Sequence, residues 1–282
     1  MNLFEETKFI MKKYNIVANK SLGQNFLIDE GVVSNIVESA GVSENDIIIE
    51  IGPGLGTLTK YLLDKAKKVI CIELDKRMVG ILNDRFSLYD NFELINDDVL
   101  KVDLNGLIKK NKTSNDVKFK VVANLPYYIT TPIIMKLLED RLDIESITVM
   151  IQKEVAERLA AVPGEKETGS ITYSINYYTN PEIVLTVPNN SFIPEPEVTS
   201  AVIRLSVLDK PKIKVKNEAL LFRVIKVAFM QKRKTLVNGL VNGGIFANKE
   251  EAEKALETLG IDTKIRGEKL TLEQFGELAD YI

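Results

Sequence analysis

Histidine is absent from this 282-residue chain, and cysteine occurs once, as Cys71. Serine–histidine–aspartate and cysteine–histidine nucleophiles are therefore excluded, as are the usual zinc and haem ligand sets, and no metal is expected. An intrachain disulfide is impossible. Cys71 lies in the apolar run Val69-Ile70-Cys71-Ile72, which suits a buried thiol better than a reactive one. No uncharged apolar run reaches the roughly 18 residues needed to span a bilayer, so no membrane partner is expected. The first residues carry Glu5, Glu6, Lys8, Lys12 and Lys13 and lack a signal-peptide apolar core, which leads to the expectation of a cytoplasmic protein. Chemistry must rest on carboxylates, amides, aromatics, backbone groups or a cofactor.

What is present is ordinary for a globular protein with a sizeable core: 45% of residues are hydrophobic and 27% charged. The length fits one large domain, or a large one with a small companion. A net charge of −3 argues weakly against a nucleic-acid partner, but it hides an asymmetry. Between Asp209 and Lys234 stand nine basic residues and only two acidic ones. Arg223, Lys226, Lys232, Arg233 and Lys234 belong to this cluster, which reads as an electrostatic footprint for phosphates. A solvated helix face could have the same composition.

The middle of the chain alternates β-branched runs with helical periodicity, the pattern of an α/β sheet with helices on both faces. Strands are predicted at Ile47–Ile51, Lys68–Glu73, Phe92–Asn96, Lys118–Asn124 and Ser146–Ile151. Helices are predicted at Leu55–Lys65, Lys76–Phe86, Pro132–Arg141 and Lys153–Ala161. The first four strands are separated by crossovers long enough for helices and should be parallel. Two later strands, Glu182–Val187 and Ala201–Val207, suggest an antiparallel hairpin at one sheet edge. From about Leu208 onward the periodicity is purely helical, which marks a small all-helical domain.

Four polar cues fall at successive strand ends. Glu50-Ile51-Gly52-Pro53-Gly54-Leu55-Gly56 leads from a strand into a helix, where glycines let the backbone approach a ligand. Thr57 stands where a dinucleotide fingerprint would need its third glycine. Glu73 is placed to accept both hydroxyls of a ribose, and Asp98 to meet the amino group of an adenine. Asn124 ends the fourth strand. Each alone could be an ordinary loop residue, but an open parallel sheet gathers all four at its carboxyl edge. An acidic cleft with no Gly-Lys-Ser/Thr loop suits a cationic sulfonium, and S-adenosylmethionine fits best.

Asn124-Leu125-Pro126-Tyr127 then supplies an acceptor side. An exocyclic adenine amine is a poor nucleophile because its lone pair is delocalised into the ring. An amide oxygen and a rigid backbone carbonyl could accept its two hydrogens and draw it toward tetrahedral geometry. Tyr127 could stack on the base. A strand end followed by a proline turn would look the same.

Six ordered stretches are similar to motifs of the rRNA adenine N6,N6-dimethyltransferases: Asn19–Leu27, Glu50–Gly56, Asn124–Tyr127, Gln152–Val155, Phe192–Val202 and Ala228–Leu236. The resemblance runs from about residue 15 to 280 and is greatest to the small-subunit branch of that family. It implies a Rossmann-like class I methyltransferase sheet with a small C-terminal all-helical domain. The corresponding division is a methyltransferase domain at 1–208, with 1–28 as an N-terminal cofactor lid, and a helical rRNA-binding domain at 209–282. It further implies S-adenosylmethionine as donor, and two adjacent adenines in the 3′-terminal hairpin of 16S rRNA, in an immature 30S subunit, as substrate for a monomeric enzyme. Carried over by position, Asn25 and Leu27 would close over the cofactor, and Gly52 and Gly54 would lie against it. Glu73 would hold the ribose, Asp98 the adenine, and Asn124 would face the methyl group. Leu125 and Pro126 would present the carbonyl, Tyr127 would stack on the target base, and Phe192 would form a second aromatic wall. Two positions depart from the family pattern: Asp97-Asp98-Val99 stands where Gly-Asp-Ala is commoner, and Tyr128 where asparagine is frequent. A 23S rRNA methyltransferase of the macrolide-resistance type remains an alternative, as does an assembly factor whose methylation is secondary.

Overall fold

The computed structural model describes residues 2–19, 23–114, 116–165, 167–231 and 233–282. Lys20, Ser21 and Leu22 of the N-terminal motif and Lys232 of the basic cluster lie outside the described residues.

Two compact units are present. The first comprises Met1–Ala156 and Glu182–Val207, the second Glu157–Pro181 and Leu208–Ile282. The single cut expected at 208/209 therefore differs from the observed division, in which residues 157–181 group with the C-terminal segment.

The first unit is built on a seven-stranded sheet. Its parallel part contains β2 (Asp46–Ile51), β3 (Lys68–Ile72), β4 (Phe92–Ile95), β5 (Lys118–Asn124) and β6 (Ser146–Gln152), with β1 (Phe26–Leu27) standing apart. Helices α3 (Thr57–Leu63), α4 (Lys76–Phe86), α5 (Leu104–Asn111) and α6 (Thr130–Glu139) make the crossovers, while α1 (Leu3–Lys13) and α2 (Glu30–Ser39) precede the sheet and α7 (Lys153–Ala160) follows β6 directly. All six residues of β2 are buried, which requires cover on both faces of the sheet and explains its near-continuous Ile run. The edge is completed by β9 (Ser200–Val207), antiparallel to β6, and beyond it β7 (Thr179–Val187).

Strand order is β4-β3-β2-β5-β6-β9-β7. Successive crossovers run outward from β2 in one direction and from β5 in the other, so the order reverses between β2 and β5. Side chains beyond the carboxyl ends of these two strands border an open crevice, where doubly wound sheets bind ligands. β1 pairs antiparallel with β8 (Phe192–Ile193), and this small ribbon brings residues 23–26 to the crevice.

The second unit holds α8 (Ser170–Tyr178), α9 (Glu218–Met230), α10 (Leu236–Asn242), α11 (Lys249–Thr258) and α12 (Leu272–Tyr281). Tyr173 is its centre. The ring packs edge-on to Phe275 at 5.0 Å and tilted to Phe229 at 5.4 Å, and its hydroxyl donates to the Leu270 carbonyl at 2.7 Å. Helices α9 and α10 approach closely enough that a Cβ on Gly243 would lie 2.5 Å from Val227. The helix α8 carries no amphipathic stripe: seven of its nine residues are buried. That all-round burial is why its sequence, Ser-Ile-Thr-Tyr-Ser-Ile-Asn-Tyr-Tyr, gives no helical cue.

Candidate active site

The loop after β2 is held open by backbone conformation. Gly52, Gly54 and Gly56 have φ of 65°, 59° and 79°, values that side-chain-bearing residues rarely adopt. A Cβ at Gly52 would meet nothing within 4 Å, so that glycine leaves its surface free for a ligand. Gly56 is needed for packing, since a Cβ there would collide with the Phe86 ring.

Glu73 follows β3 and is buried beneath this loop. Its Oε2 accepts from the Gly54 N–H at 3.1 Å and its Oε1 from the Asp75 N–H at 2.8 Å. Burial pushes its pKa up, and those backbone donors oppose the shift. Each oxygen keeps a lone pair for a further donor. Beyond β4, Asp98 takes the Leu100 N–H on Oδ1 at 3.0 Å, and its Oδ2 has no partner among the described residues. Asp75 caps α4 and its carboxyl is held below the ordinary range, chiefly by Arg77.

Across the switch point, Asn124 ends β5. Its Nδ2 donates to the Asn25 carbonyl at 3.3 Å, and its Oδ1 has no partner among the described residues. The Leu125 N–H is tied to the Met150 carbonyl at 3.1 Å. Pro126 spends its own carbonyl on the Ile129 N–H and the Thr130 hydroxyl, at 3.2 and 3.1 Å. The Leu125 carbonyl has no hydrogen-bond partner among the described residues. Tyr127 is half-buried, its hydroxyl paired with Ser200 Oγ at 2.7 Å, and burial raises its pKa.

Most of these groups line one cavity whose mouth is open to solvent. Asn25, Gly52, Gly54, Glu73, Asp98, Asn124, Leu125, Pro126 and Tyr127 all contribute. Two sequence-predicted residues do not. Leu27 is 3% exposed and Phe192 1%; they are register partners in the β1–β8 ribbon and both pack into the main core. A ring so enclosed has no free face, and a second aromatic wall at Phe192 would require it to leave that packing.

Sequence reasoning missed other lining residues. Phe26, Ile51, Ile72, Leu74 and Val99 supply apolar walls, Gln24 a polar one, and Tyr128, 58% exposed, part of the rim. Ile51, Ile72 and Val99 directly flank the polar cues, and their placement at strand ends was the available signal. Gln24 lies in the Asn19–Leu27 stretch and Tyr128 directly follows Asn124–Tyr127, but neither was assigned a place in the site.

In the second unit, Arg223 and Lys226 are exposed one turn apart on α9, and Arg233 and Lys234 are exposed in the turn that follows. None of the four pairs with a carboxylate among the described residues. Glu218, the acidic residue of α9, takes the hydroxyls of Tyr177 and Tyr178 at 3.0 and 2.6 Å. Among the described residues no helix is long and apolar enough to cross a membrane, and no group of three or more acidic or cysteine side chains is disposed to hold a metal.

Comparison with known proteins gives a consistent answer. The family model described as "Ribosomal RNA adenine dimethylase" matches residues 15–282. "Ribosomal RNA small subunit methyltransferase A" of Alkaliphilus oremlandii is 49% identical over 276 residues, covering 98% of this chain and 96% of the relative. The protein of the same name from Clostridium botulinum strain Loch Maree is 51% identical, with 98% of each chain covered. Among solved structures, a dimethyladenosine transferase from Plasmodium falciparum aligns with a TM-score of 0.71 at 27% identity, over 90% of this chain and 95% of that one. The 23S rRNA methyltransferase ErmE aligns with a TM-score of 0.68 at 25% identity, over 91% and 99%.

Proposed function

Because the chain belongs to the ribosomal RNA adenine dimethylase family, we propose that it dimethylates N6 of two adjacent adenines in the 3′-terminal hairpin of 16S rRNA, with S-adenosylmethionine as donor. One observation carries the chemical part of this reading. The amide oxygen of Asn124 and the carbonyl of Leu125, neither satisfied within the described protein, share a cavity with Glu73 and Asp98 at the switch point of the sheet.

The cavity residues fit the cofactor. The carboxylate of Glu73 suits the ribose hydroxyls, and the free Oδ2 of Asp98 suits the adenine amine. Ile51, Ile72, Leu74 and Val99 suit the faces of the base, and Gly52 leaves room for the amino-acid tail. When bound, S-adenosylmethionine supplies a methyl group made electrophilic by a positively charged sulfur.

The protein's task is to present the nucleophile. The target adenine leaves its stack at a cost of a few kcal/mol, which base stacking on Tyr127, worth about 1–3 kcal/mol, largely offsets. The hydroxyl bond to Ser200 holds that ring in place. Asn124 Oδ1 and the Leu125 oxygen accept the two N6 hydrogens and aim the nitrogen lone pair into the cavity. No strong base is needed, because the amine proton becomes acidic as the nitrogen is alkylated. Rate then comes mainly from alignment.

The exposed cations of α9 and its following turn would hold rRNA phosphates. We place the division of labour accordingly, with catalysis in the first unit and RNA binding in the second. The substrate is taken to be an immature small subunit, met by a single copy of the chain in the cytoplasm. The large-subunit reading is not favoured: relatives near 50% identity carry small-subunit names, whereas the 23S enzyme is half as similar.

Incubation with methyl-labelled S-adenosylmethionine and unmethylated ribosomal particles tests the proposal. Label should enter small-subunit RNA as N6,N6-dimethyladenosine and leave large-subunit RNA unlabelled. Label confined to large-subunit RNA would overturn the assignment.

A further inference from the structure

Residues 23–25 touch both walls of the cavity. On the cofactor wall, Gln24 Nε2 donates to Asp75 Oδ2 at 3.1 Å, and the Asp75 N–H in turn holds Glu73 Oε1. On the acceptor wall, the Asn25 carbonyl receives Asn124 Nδ2, and a Cβ on Gly23 would sit 3.4 Å from Pro126 and 3.5 Å from the Tyr128 ring. Gln24 also fixes the segment to itself. Its Oε1 accepts from the Asn19 N–H at 2.9 Å, and its own N–H reaches the Asn19 carbonyl at 3.2 Å. Gln24 thus spends one end of its amide on the N-cap of α4 and the other on closing its own segment.

The Asn124 amide has two orientations of nearly equal shape, and only one directs oxygen to a substrate amine. The Asn25 carbonyl selects it, because a carbonyl accepts from Nδ2 and repels Oδ1. Whatever fixes the Asn25 backbone therefore fixes the polarity of Asn124.

We propose that Gln24 is a positioning residue, which anchors residues 23–25 to Asp75 so that the Asn25 carbonyl keeps the Asn124 amide oxygen turned toward the substrate. The same anchor links the Glu73 side of the cavity to the acceptor side, so a filled cofactor site and a correctly turned Asn124 go together. This rests on the proposed function, since it assigns Asn124 the acceptor role.

The test is a double-mutant cycle on Gln24→Ala and Asp75→Ala in the full chain, with methylation of small-subunit particles and calorimetric binding of S-adenosylmethionine measured for each. Gln24→Ala should lower kcat about tenfold, leave KM for the particle within twofold, and weaken cofactor binding several-fold. Amide exchange over residues 23–28 should rise. The double variant should lose little more than the worse single variant, because both break one link. Asp75→Asn, which keeps an acceptor for Gln24 and a cap for α4, should retain most of the activity. Additive losses, or a Gln24→Ala effect confined to KM, would overturn the proposal. If the wild-type protein binds cofactor but methylates no small-subunit RNA, the functional reading fails as well, and the two failures are told apart by the wild-type control.

Discussion

The Gly54 N–H donates to Glu73 Oε2 at 3.1 Å, which joins the glycine turn after β2 to the carboxylate after β3. Two strand ends are thereby locked at one spacing before any ligand arrives. Such preorganisation is what lets a carboxylate meet two hydroxyls without loop ordering costs.

Glu73→Ala should therefore raise the Kd for S-adenosylmethionine roughly 10–100-fold, the scale of losing hydrogen bonds to a charged group. Isothermal calorimetry checks this. Because burial raises the Glu73 pKa, wild-type affinity should also fall on acidification sooner than an ordinary carboxylate would allow. Binding needs the ionised form, so affinity is lost as pH drops through the raised value.

Glu50 lies fully buried in β2, accepting from the Cys71 thiol at 3.4 Å, and burial pushes its pKa from 4.5 to about 7. Below pH 4.5 both folded and unfolded chains hold the proton, so the group is neutral to stability. As pH rises from there to about 7, the unfolded chain releases the proton while the fold retains it, and stability falls. The loss should total about 3 kcal/mol, at about 1.4 kcal/mol per pKa unit. Glu50→Gln should remove this slope. Denaturant unfolding of both proteins across the window, taken as a difference, measures it; parallel curves would refute it.

Neutralising Lys226, Arg233 and Lys234 together should weaken binding to small-subunit RNA and flatten its log–log salt dependence by about 0.7–0.9 for each phosphate no longer neutralised. The three are exposed and pair with no carboxylate among the described residues, so thermal stability should be unchanged. Filter binding at several salt concentrations reads the slope. An unchanged slope would show that these cations touch no phosphate.

Much of the cavity lining was legible because it follows strand ends. Gly52, Glu73 and Asn124 stand at the ends of β2, β3 and β5 and Asp98 three residues beyond β4, and a parallel sheet gathers such positions whatever the loops do. Residues whose role depends on partners far away in sequence were not legible. Gln24 reads as a polar loop residue until Asp75, 51 positions later, is seen beside it. Phe192 and Leu27 carry the right chemistry for a cavity wall, but ribbon pairing turns both into the core. Helix α8 failed for a physical reason of its own: Tyr173, Tyr177 and Tyr178 are all buried, so the alternation that reveals a helix is missing. The bonds from Tyr177 and Tyr178 to Glu218 also explain why residues 157–181 group with the C-terminal helices.

Asn124→Ala bears most directly on the acceptor site. The substitution removes the amide oxygen and keeps Glu73, Asp98 and the glycine turn. Calorimetry should show S-adenosylmethionine binding within a few-fold of wild type. Single-turnover formation of N6,N6-dimethyladenosine in small-subunit RNA should fall on the order of a hundredfold or more, the size of effect that follows removal of one preorganised polar group from a reacting centre. Methyl transfer at the wild-type rate with normal cofactor binding would contradict the acceptor role of Asn124.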